Sequence, residues 1–146
     1  MQAGWRNETV LVVEDAEPIR RMVCAMLSQS GYSCLEAADG AEALDLLKKS
    51  DCSVSLVLTD VIMPKMTGAE LAQQLSRIRP DIRIMFMSGY SDDPVVRKFE
   101  RSSSTFLAKP FTASALMEKV RQALDGPWAG LPPESASGSR INEADR

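Results

Sequence analysis

At four places in this 146-residue chain, polar side chains stand directly behind apolar runs. Glu14 and Asp15 follow "TVLVV", Asp60 follows "SLVLT", Ser88 follows "IRIMFM" and Lys109 follows "TFLA". Three carboxylates gathered at one spot repel one another, which raises their pKa values and costs stability unless positive charge sits among them. Lys109 supplies one such charge, and a hard divalent cation supplies the rest. Oxygen ligation with room for water and phosphate oxygens points to Mg2+, with Mn2+ as the other fitting ion, rather than to zinc or copper. Metal and lysine around an acid are equipment for handling a phosphoryl group.

Whether these residues meet depends on the elements that carry them. "TVLVVED" (9–15) reads as a buried strand, and "EPIRRMVCAMLSQSG" (17–31) as a helix with Pro18 in its first turn and Gly31 ending it. Ile19, Met22, Val23, Met26 and Leu27 form its expected inner face. "YSCLEA" (32–37) is short and polar enough for an edge strand, followed by a helix over 39–50 with Ala43, Leu44 and Leu47 inward. The alternation continues with strand 53–60 and helix 67–78, which Thr67 and Gly68 start after Pro64. Strand 82–88, a short helix from about Pro94 to Arg101, strand 105–109 and helix 112–124 follow.

Five βα units in a row predict an α/β fold, a doubly wound five-stranded parallel sheet with helices on both faces. In the flavodoxin-like (βα)5 order 2-1-3-4-5, strand order reverses between the first and third strands, and ligand crevices open beyond the strands' carboxyl ends at that point. The acids at 14, 15 and 60 are expected to converge there. Residues 1–7 read as an N-terminal extension, 8–125 as the domain, and 126–146, rich in Gly, Pro and Ser, as a flexible C-terminal tail.

Composition narrows the function. The formal charge is −3 and the pI about 5.0, and no Lys/Arg cluster offers a nucleic-acid surface. No long uncharged apolar stretch and no basic-then-apolar leader occurs, so no membrane contact and a cytoplasmic location are expected. The chain has no histidine. That removes Ser-His-Asp and Cys-His catalysis and any phosphohistidine carried on this polypeptide, so a phosphoryl donor must be another molecule or domain. Cys24, Cys34 and Cys52 match neither a CxxC pair nor a zinc spacing and are assigned no chemistry.

At "VVED", "TDVIMPKMTG", "MSGY" and "FLAKPF" the sequence strongly resembles the receiver domain of bacterial two-component response regulators, over roughly residues 8–125. One such motif is weak evidence; four in order, each ending an expected strand, are specific. The resemblance implies that Asp60 accepts a phosphoryl group from a histidine kinase or phosphotransfer protein carrying phosphohistidine. It implies that Glu14, Asp15, Asp60 and the backbone carbonyl of Ile62 hold Mg2+, that Ser88 engages the phosphate through its hydroxyl, and that Lys109 pairs with it. Ser88 and Phe106 would form the switch. The face built from helix 94–101, strand 105–109 and helix 112–124 would then receive a partner or a second copy in a homodimer. The Lys109–Pro110 bond resembles one that is usually cis.

A module of this kind is not a turnover enzyme, although it promotes its own phosphorylation and dephosphorylation. "TDVIMPKMTG" with "MSGYS" is similar to the receivers attached to hybrid sensor kinases. Two alternatives remain at this point: a degenerate receiver acting by protein contact alone, and a flavin binder of the same fold. The acidic "EDAEP" loop after the first strand disfavours the second, since an anion would be repelled there without a metal. An isolated strand-end Asp more often caps a turn, and Asp15 could cap the helix that follows; recurrence at two central strand ends favours a site. Ile62 and Tyr90 are bulkier departures from the common pattern and could shield an acyl phosphate from water.

Overall fold

The structure, a computed structural model, describes residues 8–49, 53–88 and 106–126. Strands β1 (Thr9–Val13), β2 (Ser33–Ala37), β3 (Val54–Asp60), β4 (Arg83–Ser88) and β5 (Phe106–Ala108) form one parallel sheet in the order β2-β1-β3-β4-β5. Helices α1 (Glu17–Gln29), α2 (Gly40–Lys48), α3 (Gly68–Ile78) and α4 (Ala113–Asp125) connect and cover it. The expected doubly wound order is the observed one. The helix expected over 94–101, Tyr90, Cys52, residues 1–7 and residues 127–146 lie outside the described residues.

Strand periodicity divides the interior in two, because successive side chains point to opposite faces. Leu11, Val13, Val57, Ile84, Phe86 and Phe106 pack with Leu44, Leu47, Leu71 and Leu75 of α2 and α3. Val10, Val12, Leu56, Leu58, Met85, Met87 and Leu107 pack instead with Val23 and Leu27 of α1 and Leu116, Val120 and Leu124 of α4. Each aliphatic side chain taken fully out of water contributes about 1.5–3 kcal/mol, so both layers are needed. Among the described residues no helix is long and apolar enough to cross a membrane.

Local chemistry sets the helix ends. Pro18 stands in the first turn of α1, whose N-cap is Ala16 rather than Asp15. At its other end Gly31 takes φ 97°, and its amide bonds Ser28 O while the Tyr32 amide bonds Leu27 O, the Schellman arrangement that favours glycine. Asp39 caps α2 by accepting from the Glu42 amide at 2.9 Å. Thr67 and Glu70 form a capping box at α3, and Thr112 caps α4. The Arg83 guanidinium, at the start of β4, donates to the Leu124 and Gly126 carbonyls and ties down the end of α4.

Three expectations change. Met22 is 44% exposed; the sheet covers a narrower arc of α1 than the apolar pattern offers, and Val23, Cys24 and Leu27 fill it. Helix 39–50 is shorter, ending at Lys48. Cys24 of α1 and Cys34 of β2 are joined in a disulfide with Cα atoms 5.8 Å apart, a pairing that their spacing in sequence did not disclose.

Gly68 is the position where backbone approach is tightest. Its amide donates to Val61 O at 2.8 Å, and a Cβ there would lie 2.3 Å from the Asp60 carbonyl oxygen and 3.1 Å from Val61 Cα. Both obstacles are backbone and cannot swing aside. Gly68→Ala is therefore expected to lose about 2 kcal/mol, because the strain outweighs the gain in helix propensity. A lower denaturant midpoint at unchanged m-value would be the readout, and an unchanged midpoint would refute the close approach.

Candidate functional site

The row of polar residues at the sheet's carboxyl edge is aligned by backbone hydrogen bonds that continue the ladders past the strands. The Glu14 amide donates to Ala37 O, the Val61 amide to Met87 O and the Lys109 amide to Ser88 O. Glu14 thus sits at the end of β1, Asp60 at the end of β3, Ser88 at the end of β4 and Lys109 just beyond β5. The Lys109–Pro110 peptide is cis, as the resemblance implied.

The Lys109 ammonium bridges two acids, at 2.9 Å from Glu14 Oε1 and 3.3 Å from Asp60 Oδ2. Glu14 is 2% exposed and Asp60 8%, whereas Asp15 faces solvent. One carboxylate oxygen from each of the three acids falls within 4.8 Å of the others. Glu14 Oε2 also accepts from the Ala16 amide at 3.2 Å. The Ile62 backbone favours the charged form of the Asp60 carboxyl, and the Ile62 side chain is exposed.

Three carboxylates facing one ammonium leave negative charge unmatched, with oxygen donors only. That donor set fits Mg2+ or Mn2+ and suits neither zinc nor copper. Both Glu14 oxygens are already engaged, so Asp15 and Asp60 are the carboxylates with the most freedom to reach an ion.

The remaining expected residues are placed as follows. Ser88 is buried at the end of β4. Phe106 is buried, paired in register with Phe86, and packed in the core layer of α2 and α3.

Sequence reasoning missed two features. Arg20 binds the Glu14 carbonyl and the Glu36 carboxylate. The readable signal was a cation in the early part of α1, where the helix dipole disfavours one and another partner is required. Lys65 takes φ 73° inside a tight turn in which the Met66 amide reaches Pro64 O at 2.7 Å. Nothing in the sequence marked it, since glycine or asparagine is the usual occupant of that conformation.

The family profile of the response regulator receiver domain matches residues 10–121. The chain is 37% identical over 120 residues to the sensor kinase CckA of Brucella abortus (strain 2308), covering 82% of this chain and 13% of that protein. It is 32% identical over 119 residues to sporulation initiation phosphotransferase F of Bacillus subtilis (strain 168), covering 81% of this chain and 94% of that one. Among solved structures, the receiver domain of the hybrid histidine kinase CckA aligns with TM-score 0.67 and 35% identity, over 80% of this chain and 99% of that one. The Vibrio cholerae chemotaxis protein CheY4 aligns with TM-score 0.70 and 29% identity, over 82% of this chain and all (100%) of that one.

Burial lifts the Asp60 carboxyl from 3.8 to about 6; the Lys109 charge pulls it back part of the way, and the Glu14 charge adds to the rise. Burial alone would depress the Lys109 ammonium, but its hydrogen bond to Glu14 and the charges of Asp60 and Glu14 outweigh that and hold it above its usual value. A carboxyl with a raised folded pKa binds its proton more tightly in the folded than in the unfolded state. The contribution of Asp60 to metal-free stability therefore falls as pH rises from about 4 to about 6, then levels. Above that window the buried charge costs on the order of 3 kcal/mol. Asp60→Asn should accordingly stabilise the fold in chelator at pH 7.5, by up to about 3 kcal/mol, with the gain shrinking as pH falls toward 4. Denaturant melts across that range test it, and a gain independent of pH would contradict the electrostatic cause.

Proposed function

The chain belongs to the response regulator receiver domain family of two-component systems, and on that premise we propose that it is a phosphorelay receiver whose acceptor is Asp60. The observation carrying this reading is the Lys109 bridge between buried Glu14 and Asp60 at the sheet's switch point. Asp60 is the carboxylate that ends the central strand and touches the lysine. The donor is a phosphohistidine on a histidine kinase or phosphotransfer protein, as two-component systems use, and it lies outside these 146 residues, among which there is no histidine. In the transfer, the phosphorus–nitrogen bond of the donor breaks as a phosphorus–oxygen bond to an Asp60 carboxylate oxygen forms, and the imidazole leaves with the electron pair of the broken bond.

Asp15, Asp60 and the Ile62 carbonyl would hold Mg2+, with Glu14 supporting them through its grip on Lys109 and the Ala16 amide. A bound divalent cation supplies charge neutralisation on the phosphoryl oxygens. Lys109, freed from part of its pairing with Asp60, turns to a phosphoryl oxygen. The Ser88 hydroxyl donates to another. The phosphoryl group brings up to about two negative charges and three acceptor oxygens, and Phe106, next to β4, repacks in response. Residues 8–125 form the receiver unit. The function is signalling rather than turnover. The chain spans only 13% of the CckA kinase but 94% of the sporulation phosphotransferase, so attachment to a kinase core and a free-standing regulator both have precedent among its relatives.

Incubation with acetyl phosphate and Mg2+ should add one phosphoryl group to the intact mass, and Asp60→Asn or excess chelator should abolish the gain. Labelling of Asp60→Asn at the wild-type level would overturn the assignment.

The switch has its own readout. With beryllofluoride as phosphate mimic, amide shifts should extend from the neighbourhood of Asp60 into β5 and α4 in the wild type. In Ser88→Ala they should stay local while labelling persists, because a ligand shifts an equilibrium only through differential affinity for its two states. Identical shift patterns in both proteins would remove Ser88 from the coupling.

A further inference from the structure

Arg20 reaches the acidic turn through that turn's main chain, whereas Lys109 reaches a side-chain carboxylate there. Its Nη1 donates to the Glu14 carbonyl at 2.9 Å, and its Nε donates to Glu36 Oε1 of β2 at 2.9 Å. The Arg20 side chain is 14% exposed, which is low for an arginine on a surface helix. The carbonyl it grips belongs to the peptide that joins Glu14 to Asp15. Because a peptide is planar, holding that oxygen also fixes the direction in which the chain enters Asp15. The other side of Glu14 is fixed too, since its amide bonds Ala37 O at 3.1 Å. Both peptides flanking Glu14 are thereby referred to β2 and its end, the first by a backbone bond and the second through an arginine fork.

We propose that Arg20 is a positioning residue for the divalent-cation site: anchored on Glu36, it clamps the Glu14–Asp15 peptide and so aims the exposed Asp15 carboxylate at the ion. The inference rests on the metal-binding reading above and adds to it the element that aims one ligand. Arg20 touches neither the ion nor the phosphoryl group. Its charge alone would act in the opposite direction, since a nearby guanidinium repels a cation. Geometry and charge therefore predict opposite signs for its removal.

The experiment is calorimetric titration of the unphosphorylated protein with Mg2+, alongside thermal melts in chelator. Four variants are compared with the wild type: Arg20→Ala, Arg20→Lys, Glu36→Ala and the double Arg20→Ala/Glu36→Ala. Positioning predicts that Arg20→Ala weakens Mg2+ binding roughly 10-fold or more, the usual consequence of losing an outer partner of a metal site. Arg20→Lys, which keeps the charge but cannot make the two-pronged contact, should also weaken it. Glu36→Ala should weaken it less, and the double variant should be no worse than Arg20→Ala, because the two residues act as one unit. Equal or tighter binding in Arg20→Ala, wild-type affinity in Arg20→Lys, or a lowered melting temperature at unchanged affinity would each overturn the proposal. Should Arg20→Ala not fold, Arg20→Lys and Glu36→Ala decide it. Absence of Mg2+ binding by the wild type would instead overturn the metal reading and this inference with it.

Discussion

One ammonium, that of Lys109, stands between two buried carboxylates, and the architecture around the site answers to that arrangement. Unit charges about 4 Å apart attract or repel by roughly 4 kcal/mol at an effective dielectric of 20, which is comparable with the whole stability of a small domain. Three acids cannot be matched by one lysine. The imbalance surfaces as the raised Asp60 pKa, held there by burial and by Glu14 against the pull of Lys109. A site of this kind is poised: it is left with charge that a divalent ion or a proton can neutralise.

Holding the acids together requires rigid backbone close to them. The ladders run one bond beyond the strand ends, through Glu14 to Ala37, Val61 to Met87 and Lys109 to Ser88, so each functional residue is anchored on a neighbouring strand rather than left on a free loop. Gly68 brings the start of α3 against the carbonyl of Asp60, and the capping box at Thr67 and Glu70 fixes that start. Asp60 is therefore seated by β3 on one side and by a helix terminus on the other.

Much of this was legible because the signals were periodic or paired. Five apolar runs spaced by amphipathic segments allowed little besides a parallel sheet, and a parallel sheet sends all strand ends to one edge. Convergence of Glu14, Asp15, Asp60 and Lys109 followed from that topology alone. Boundaries shifted by a residue or two where caps decide them, as at α2, expected over 39–50 and found over Gly40–Lys48 between the caps Asp39 and Lys49. What stayed hidden were contacts set by three-dimensional proximity between elements: the Cys24–Cys34 bridge, the Arg20 fork on Glu14 and Glu36, and the exposure of Met22. An amphipathic pattern tells which side of a helix is apolar, but the width of the arc that the sheet covers, and the residue that an arginine reaches, depend on how α1 lies over β2 and β1.

The alternation of cores along β5 carries a consequence for how such a chain can change in length. Phe106 and Leu107 are neighbours in sequence yet belong to opposite layers, and the three-residue strand is registered on β4 through Phe86, Met87 and Ser88. A slip of one residue would exchange the two layers' side chains and carry Lys109 away from its acids. An insertion or deletion inside 106–109 thus has no harmless phase. One between Ser88 and Phe106 need not disturb that phase, provided the connection absorbs the difference before the strand begins. Length drift among descendants of such a sequence is expected to collect there, while spacing from Phe106 to Lys109 stays quantised.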